Sequence, residues 1–422
     1  MNILEYVTIK GLWGDTNLEF KVDEQYNFLI GANGTGKTTV INLISSALMG
    51  NVEALRVVKF DSIELRLMSR ENRRKPSLLI KKEPTLESPY FALTCELKRM
   101  ASAKPEIYPL EMLSEEHFFL RLRGTEKTRI KDVLQELIDV SWISVHRHEE
   151  SEFYNEEESM LSPVDQKLRD MSIKLGRYFS TLSKKYMIQA SEFQKNSFLS
   201  LLTSEKETQI INFSSKIDIL DEKKALSKVF DILGLEKKLY EKKLTTHLEK
   251  FSSAVKSFEN KRSTNKGMTT LEFAAMYNAW KAHSLIQLYE VLQDERKGIY
   301  ELPNKFIHVI NELFSGKKTM SISEGDELVF KSSTGKVIPM EELSSGEKQL
   351  LIIVGEAVLQ EQKPVIYIAD EPELSLHISW QEQLTKAITT LNPNAQIIFA
   401  THSPDIVSVH NDKVIDMELV SQ

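Results

Sequence analysis

The sequence predicts an α/β fold in which a parallel sheet with flanking helices is built from both chain ends and interrupted by a mostly α-helical insertion. Three observations predict it. Tyr26 to Ile30 reads as a buried strand that runs into a glycine-rich turn and then a helix. Near the other end, the apolar runs Val365–Ala369 and Ile397–Ala400 have the composition of central parallel strands. Between these regions, from about residue 155, the pattern changes to long charged helices. The 422 residues therefore divide into 1–150, 151–300 and 301–422, with the first and last segments sharing one domain.

Each element has its own signal. Ile3, Leu4, Val7 and Ile9 mark an opening strand, and Leu18 and Phe20 alternate in a second. A helix is predicted from Lys37 to about Leu48, with Val40, Ile41, Leu43, Ile44 and Leu48 inward. Residues 57–98 read as a small antiparallel β arm, with alternating runs separated by proline-containing turns. Trp142 to Val145 is a further short strand. In the insertion, Val164, Leu168, Met171, Leu175, Tyr178 and Leu182 form one apolar stripe, and Leu244, Leu248, Phe251, Val255 and Phe258 form another. Both stripes are too short for a coiled-coil rod. Either the helices bury them on one another or they offer a surface to a second copy or a partner. After residue 302, strand signals at 321–325, 328–331 and Val337 lead to a helix from Lys348 to about Glu361.

Composition narrows the class. An apolar content of 41% suits a globular chain. There is no run of the roughly 18 apolar residues that a membrane span needs, and no secretory signal is evident, so no membrane role is expected. The single cysteine, Cys95, excludes an internal disulfide framework and a cysteine-rich zinc site, and it fits a reducing cytoplasm. With a net charge of −7, binding of nucleic acid requires a local basic patch.

Chemistry concentrates in short motifs. Gly31-Ala32-Asn33-Gly34-Thr35-Gly36-Lys37-Thr38 matches the P-loop pattern, with the strand before it and the helix after it that the pattern requires. Its backbone amides and the helix N-terminus suit the phosphates of ATP. Lys37 is expected to reach the β- and γ-phosphates, Thr38 to ligate Mg²⁺, and Thr39 to add a phosphate contact. Asp370-Glu371 closes the strand at 365–369 in a Walker B arrangement. Asp370 is expected to hold the Mg²⁺ shell and Glu371 to polarise the attacking water.

Leu343-Ser344-Ser345-Gly346-Glu347-Lys348-Gln349-Leu350 resembles the signature of ABC-type ATPases, just over twenty residues before Walker B. Taken alone, these residues also fit a helix cap. His402, in Thr401-His402-Ser403-Pro404, matches the switch histidine of that family. Together the motifs resemble the OLD-like branch near the RecF, SbcC and SMC proteins, and most of all the stand-alone ATPase subunits of two-component antiphage systems of Septu or PARIS type. The resemblance covers about residues 1–50 and 340–410. It implies an ABC ATPase head that dimerises on ATP. Ser344, Ser345, Gly346 and Glu347 would then serve the nucleotide of the opposite subunit, and His402 would contact the γ-phosphate. His377 stands where related D-loops generally carry aspartate.

Other residues carry weaker signals. His146, Arg147 and His148 lie where a Q-loop would fall, and also read as a surface loop or a metal pair without a third ligand. Trp13 is either an adenine neighbour or a core or loop aromatic. Arg70, Arg73, Arg74, Lys75, Lys81 and Lys82 form a basic cluster that is either solvated or a contact for nucleic acid or an acidic partner. Functionally, the resemblance implies a cytoplasmic ATPase, a homodimer or higher homo-oligomer, regulating a separate effector protein such as a nuclease. No Toprim segment is evident, and Glu324-Gly325-Asp326 reads as a hairpin turn. The alternative is a DNA-repair ATPase that binds DNA. A transporter subunit fits poorly, because about 300 residues separate the P-loop from the signature.

Overall fold

Two compact units make up the chain: Met1–Tyr178 with Leu302–Gln422, and Phe179–Glu301. The computed structural model describes residues 2–72, 74–84, 91–110, 130–143, 162–200, 202, 218–262, 267–408 and 410–421.

In the first unit, β1 (Asn2–Leu12), β2 (Thr16–Lys21) and β3 (Tyr26–Ile30) precede helix α1 (Lys37–Met49) and the short α2 (Val52–Val57). Next come β4 (Ser62–Ser69), β5 (Ser77–Pro84), β6 (Phe91–Lys98), β7 (Glu106–Pro109), α3 (Ile130–Leu137) and β8 (Val140–Ile143). Helix α4 spans Pro163–Leu199. The second unit takes in α4 from Phe179 onward, α5 (Ile219–Ile232), α6 (Lys237–Arg262) and, as far as Glu301, α7 (Thr270–Leu313). Strands β9 (Lys318–Ile322), β10 (Leu328–Ser332) and β11 (Val337–Ile338) then form a small antiparallel sheet. The chain closes with α8 (Ser345–Leu359), β12 (Val365–Asp370), α9 (Ile378–Leu391), β13 (Ala395–Ala400), α10 (Pro404–Val407), β14 (Val414–Asp416) and α11 (Met417–Val420).

The predicted parallel sheet has the order β14-β3-β13-β12-β8, every neighbouring pair parallel. Its central strands are buried on both faces, which is why they read as unbroken apolar runs rather than alternating ones. β3 is flanked by strands from the far end of the chain, so neither end can complete the sheet alone.

The antiparallel strands expected over 57–98 form, at Ser62–Ser69, Ser77–Pro84 and Phe91–Lys98. β4, β5, β6 and β7 continue the sheet begun by β2 and β1, in the order β2-β1-β4-β5-β6-β7. Period-2 alternation turns Ile63, Leu65, Leu67, Leu78, Ile80, Leu93 and Leu97 to one face. That face joins α1 and the parallel strands in a single core. Cys95 lies in this core, where burial pushes its thiol up to about 12.

The helical region also differs from the expected division. Leu168, Met171 and Leu175 are buried in the first unit, with Met171 and Leu175 against Gly355 of α8. The early part of the first stripe therefore packs on the signature helix. Leu244, Leu248 and Phe251 are buried within the second unit, among Leu226, Tyr240, Met276 and Ile286.

Candidate nucleotide-binding site

Every motif with predicted chemistry in the described residues ends up in the first unit, most of it at the C-terminal edge of the parallel sheet. β3 delivers the P-loop there and α1 leaves it. Gly36 adopts φ 87°, and a Cβ at that position would collide with the ring of Trp13. No other residue type meets both demands without strain. Trp13 itself is 45% exposed and holds φ 57°, its ring laid over the loop. Lys37 Nζ donates to the carbonyls of Gly31 (2.9 Å) and Ala32 (3.1 Å), folding the side chain back over the cradle. Burial lowers the Lys37 pKa, and the carboxylates of Glu371, Asp370, Glu373 and Glu418 oppose that shift. Asn33 and Gly34 are exposed at the tip, Thr35 Oγ1 donates to the Ala32 carbonyl (2.9 Å), and Thr39 sits in the first turn of α1.

Walker B meets the P-loop directly. Thr38 Oγ1 donates to Asp370 Oδ1 at 3.0 Å, so the two predicted Mg²⁺ residues converge from opposite ends of the chain. An all-oxygen pair of this kind suits Mg²⁺ completed by substrate phosphates and water. Glu371 follows with φ 48°, its amide held by the Ala400 carbonyl at 2.8 Å. A left-handed non-glycine residue costs about 1–3 kcal/mol and is retained where function needs it. The turn takes Glu371 off the strand end instead of extending the ladder.

The switch segment completes the edge. β13 ends at Ala400, Thr401 is buried, and His402 is exposed. A cavity of about 390 Å³ is bounded by Gly31 of the P-loop together with Thr401, His402 and Ser403. Among the described residues, the P-loop, Asp370 and His402 thus share one edge.

The signature residues make a separate cluster. Ser344 is the N-cap of α8, and its Oγ accepts from the Glu347 amide (3.3 Å). Glu347 Oε2 accepts from the Ser344 amide (2.7 Å), the Ser344 hydroxyl (2.9 Å) and Lys318 Nζ (2.8 Å). This is a capping box reinforced by a cation. Ser345 opens the helix, and a Cβ on Gly346 would collide with the carbonyl of Ser375, so the helix start lies against the D-loop backbone. Capping and anion binding are compatible, because the cap leaves helix N-terminal amides pointing outward.

Burial pushes the Glu347 carboxyl up, but Lys318 and the Ser344 amide and hydroxyl outweigh it and hold it below the ordinary 4.5. A depressed carboxylate contributes stability above its unfolded value and loses it as pH falls through its folded value. At pH 7, Glu347→Gln should cost about 1–3 kcal/mol. Urea midpoints of both proteins between pH 7 and pH 3 should show the gap closing below about pH 4.5. A gap unchanged at pH 3 would exclude this role for the charge.

The remaining sequence expectations resolve individually. His377 is the N-cap of α9: its Nδ1 accepts from the Ser379 amide at 3.3 Å, which fixes the proton on Nε2 when the ring is neutral. It thereby does locally what an aspartate cap would do. His146, Arg147, His148 and Arg73 lie outside the described residues. The basic cluster is occupied by the protein's own acceptors. Arg70 donates to the carbonyls of Asn394 and Glu24, Lys75 pairs with Glu5, Lys81 pairs with Glu96, and Lys82 donates to the carbonyls of Arg56 and Val58. Arg74 is exposed.

Sequence reasoning assigned no role to three residues at this edge. Glu418 of α11 accepts from the Ala32 amide (3.2 Å), a contact with no local sequence signal. Glu373 accepts from the switch loop, and Gln381 of α9 accepts from Ser403 Oγ (2.6 Å) while donating to the Leu376 carbonyl (2.9 Å).

Fold and site together define a P-loop ATPase whose α/β head is interrupted by helices. The chain belongs to the AAA ATPase domain family, whose model matches residues 3–407. It is also similar, at low identity, to solved Smc heads. The Pyrococcus furiosus Smc head domain with an extended coiled coil, bound to the C-terminal domain of ScpA, shares 15% identity over 96% of this chain and 91% of that one, with a TM-score of 0.42. The Pyrococcus yayanosii Smc head with coiled coil and joint shares 13% over 96% and 93%, with a TM-score of 0.37. Among the described residues, no helix is long and apolar enough to cross a membrane.

Proposed function

We propose that this ATPase works as an ABC-type pair of heads: ATP bound to the P-loop of one copy is closed over by the signature of another. The observation that carries this reading is the split arrangement of the phosphate-binding groups. P-loop, Asp370 and His402 share one sheet edge, while the Ser344-capped start of α8 packs on Ser375 of the D-loop. Within one site, Lys37 and the loop amides hold the phosphates, and Thr38 and Asp370 hold Mg²⁺. Glu371 takes a proton from the attacking water, and His402 reads the γ-phosphate. Loss of that phosphate removes the contacts of Ser344 and His402 and loosens the pair.

Complementation tests the geometry. Ser344→Arg should bind ATP as a monomer yet hydrolyse little, and Lys37→Ala should not bind it. Mixed dimers hold one intact composite site, so mixing should restore up to about half of wild-type turnover per mixed dimer. Absence of rescue in mixed dimers verified by mass would exclude the trans site.

The output we infer is regulation of a separate effector, a nuclease, in bacterial antiphage defence. Support comes from the motif resemblance and from the helical unit, which leaves Phe198, Leu220, Leu239 and Leu271 exposed. Co-purification of the tagged chain with the product of its neighbouring gene, with masses taken with and without ATP, tests it. A lone chain that binds duplex DNA and never retains the neighbour would favour the DNA-repair reading instead.

A further inference from the structure

Glu373 is 9% exposed, and its carboxylate spans two segments of the ATPase edge. Oε1 accepts from Thr401 Oγ1 (2.7 Å), from the His402 amide (2.7 Å) and from the Ser403 amide (3.2 Å). Three consecutive residues of the switch segment are therefore tied to one oxygen. Oε2 is buried and has no hydrogen-bond partner among the described residues. Burying a charge with half its acceptor capacity unused is unfavourable, so this carboxylate is poorly explained as a stabilising device. Its neighbours give the reason for its placement. The preceding Pro372 carbonyl accepts from Gln349 Nε2 of the signature helix (3.1 Å). Gln381 bridges the Leu376 carbonyl and Ser403 Oγ.

From this geometry we infer that Glu373 is a positioning residue for hydrolysis: its carboxylate sets the backbone that presents His402 to the γ-phosphate and locks that backbone to the turn after Walker B. The inference rests on the reading of His402 as the switch residue. The carboxylate acts at the backbone amides, so the exposed imidazole stays free to meet nucleotide while its main chain cannot drift. Charge-assisted bonds of this kind are short and directional. A loss of about 1 Å in placement costs on the order of 10²-fold in rate. Binding of ATP, which the P-loop supplies, should hardly change.

A double-mutant cycle on the full chain tests it, with ATP turnover and nucleotide affinity read separately. Glu373→Ala should lower kcat about 10–100-fold and leave the ATP affinity within about threefold. His402→Ala should lower kcat by a similar factor. In the double variant the Glu373 effect should vanish, with kcat within about threefold of His402→Ala alone, because both changes remove one function. Should Glu373→Ala not fold, Glu373→Met, which fills the same space without an oxygen acceptor, carries the same cycle. Independent, multiplying losses, or a loss expressed in affinity, would overturn the positioning role. So would full activity of a folded Glu373 variant beside an impaired His402→Ala. If His402→Ala itself retains wild-type turnover, the switch-histidine reading fails and this inference fails with it.

Discussion

Replacing Lys37 with alanine should reduce the affinity for Mg-ATP by about 10²–10⁴-fold, below detection in an ordinary calorimetric titration. The estimate follows from two charge-assisted contacts at about 1.5–3 kcal/mol each. In the structure, Nζ is held by the carbonyls of Gly31 and Ala32, so its charge is already aimed into the loop and needs little reordering to meet phosphate. The charges of Glu371, Asp370, Glu373 and Glu418 all favour its protonated form. Without the ammonium these carboxylates would confront the triphosphate unopposed, which adds repulsion to the lost attraction. An affinity within about threefold of wild type in a folded variant would remove Lys37 from the site.

Glu371→Gln should separate binding from hydrolysis. The amide keeps the side-chain length, and the main-chain bond to the Ala400 carbonyl does not involve the carboxylate, so the left-handed turn at φ 48° is retained. What disappears is the carboxylate proposed to take a proton from water, a loss of about 10²–10⁴-fold. Single-turnover measurement of phosphate release reads that step directly. Because ATP then persists, the ATP-bound pair should accumulate, visible as a dimer by light scattering. A fall in turnover of less than about threefold would assign the water to another residue.

The sequence was most legible where chemistry and local structure coincide. The run from Tyr26 through Thr38 specifies strand, turn and helix from neighbouring residues alone, and the structure places each as expected. The apolar strands at 365–370 and 395–400 were legible because burial on both faces removes any alternation. Strands at 62–69, 77–84 and 91–98 were legible as an antiparallel unit, but not as the continuation of the sheet begun by β2 and β1. Their alternation reports one buried face without saying what covers it, and the cover is α1 and the parallel sheet. The stripe from Val164 has the same limit: Met171 and Leu175 show a face to bury, while Gly355, the residue that receives them, lies far along the chain. Glu373, Gln381 and Glu418 act across the tertiary structure, so their partners could not be read from neighbouring positions.

The placement of β3 between β13 and β14 also constrains how the protein is made. Tyr26 pairs with Ile397, and Phe28 with Val414, so the P-loop strand is synthesised long before either neighbour exists. At about 5–20 residues per second, a ribosome leaves that strand without its sheet for roughly 20–75 seconds. Meanwhile the antiparallel strands, whose partners are nearby in sequence, can assemble first. The nascent chain therefore carries the buried residues Phe28 and Leu29 on a strand with two open edges, a surface suited to chaperone capture or aggregation. A product truncated before residue 395 lacks both neighbours of β3 and has no sheet on which to seat its P-loop. Chains cut short there are expected not to take up ATP.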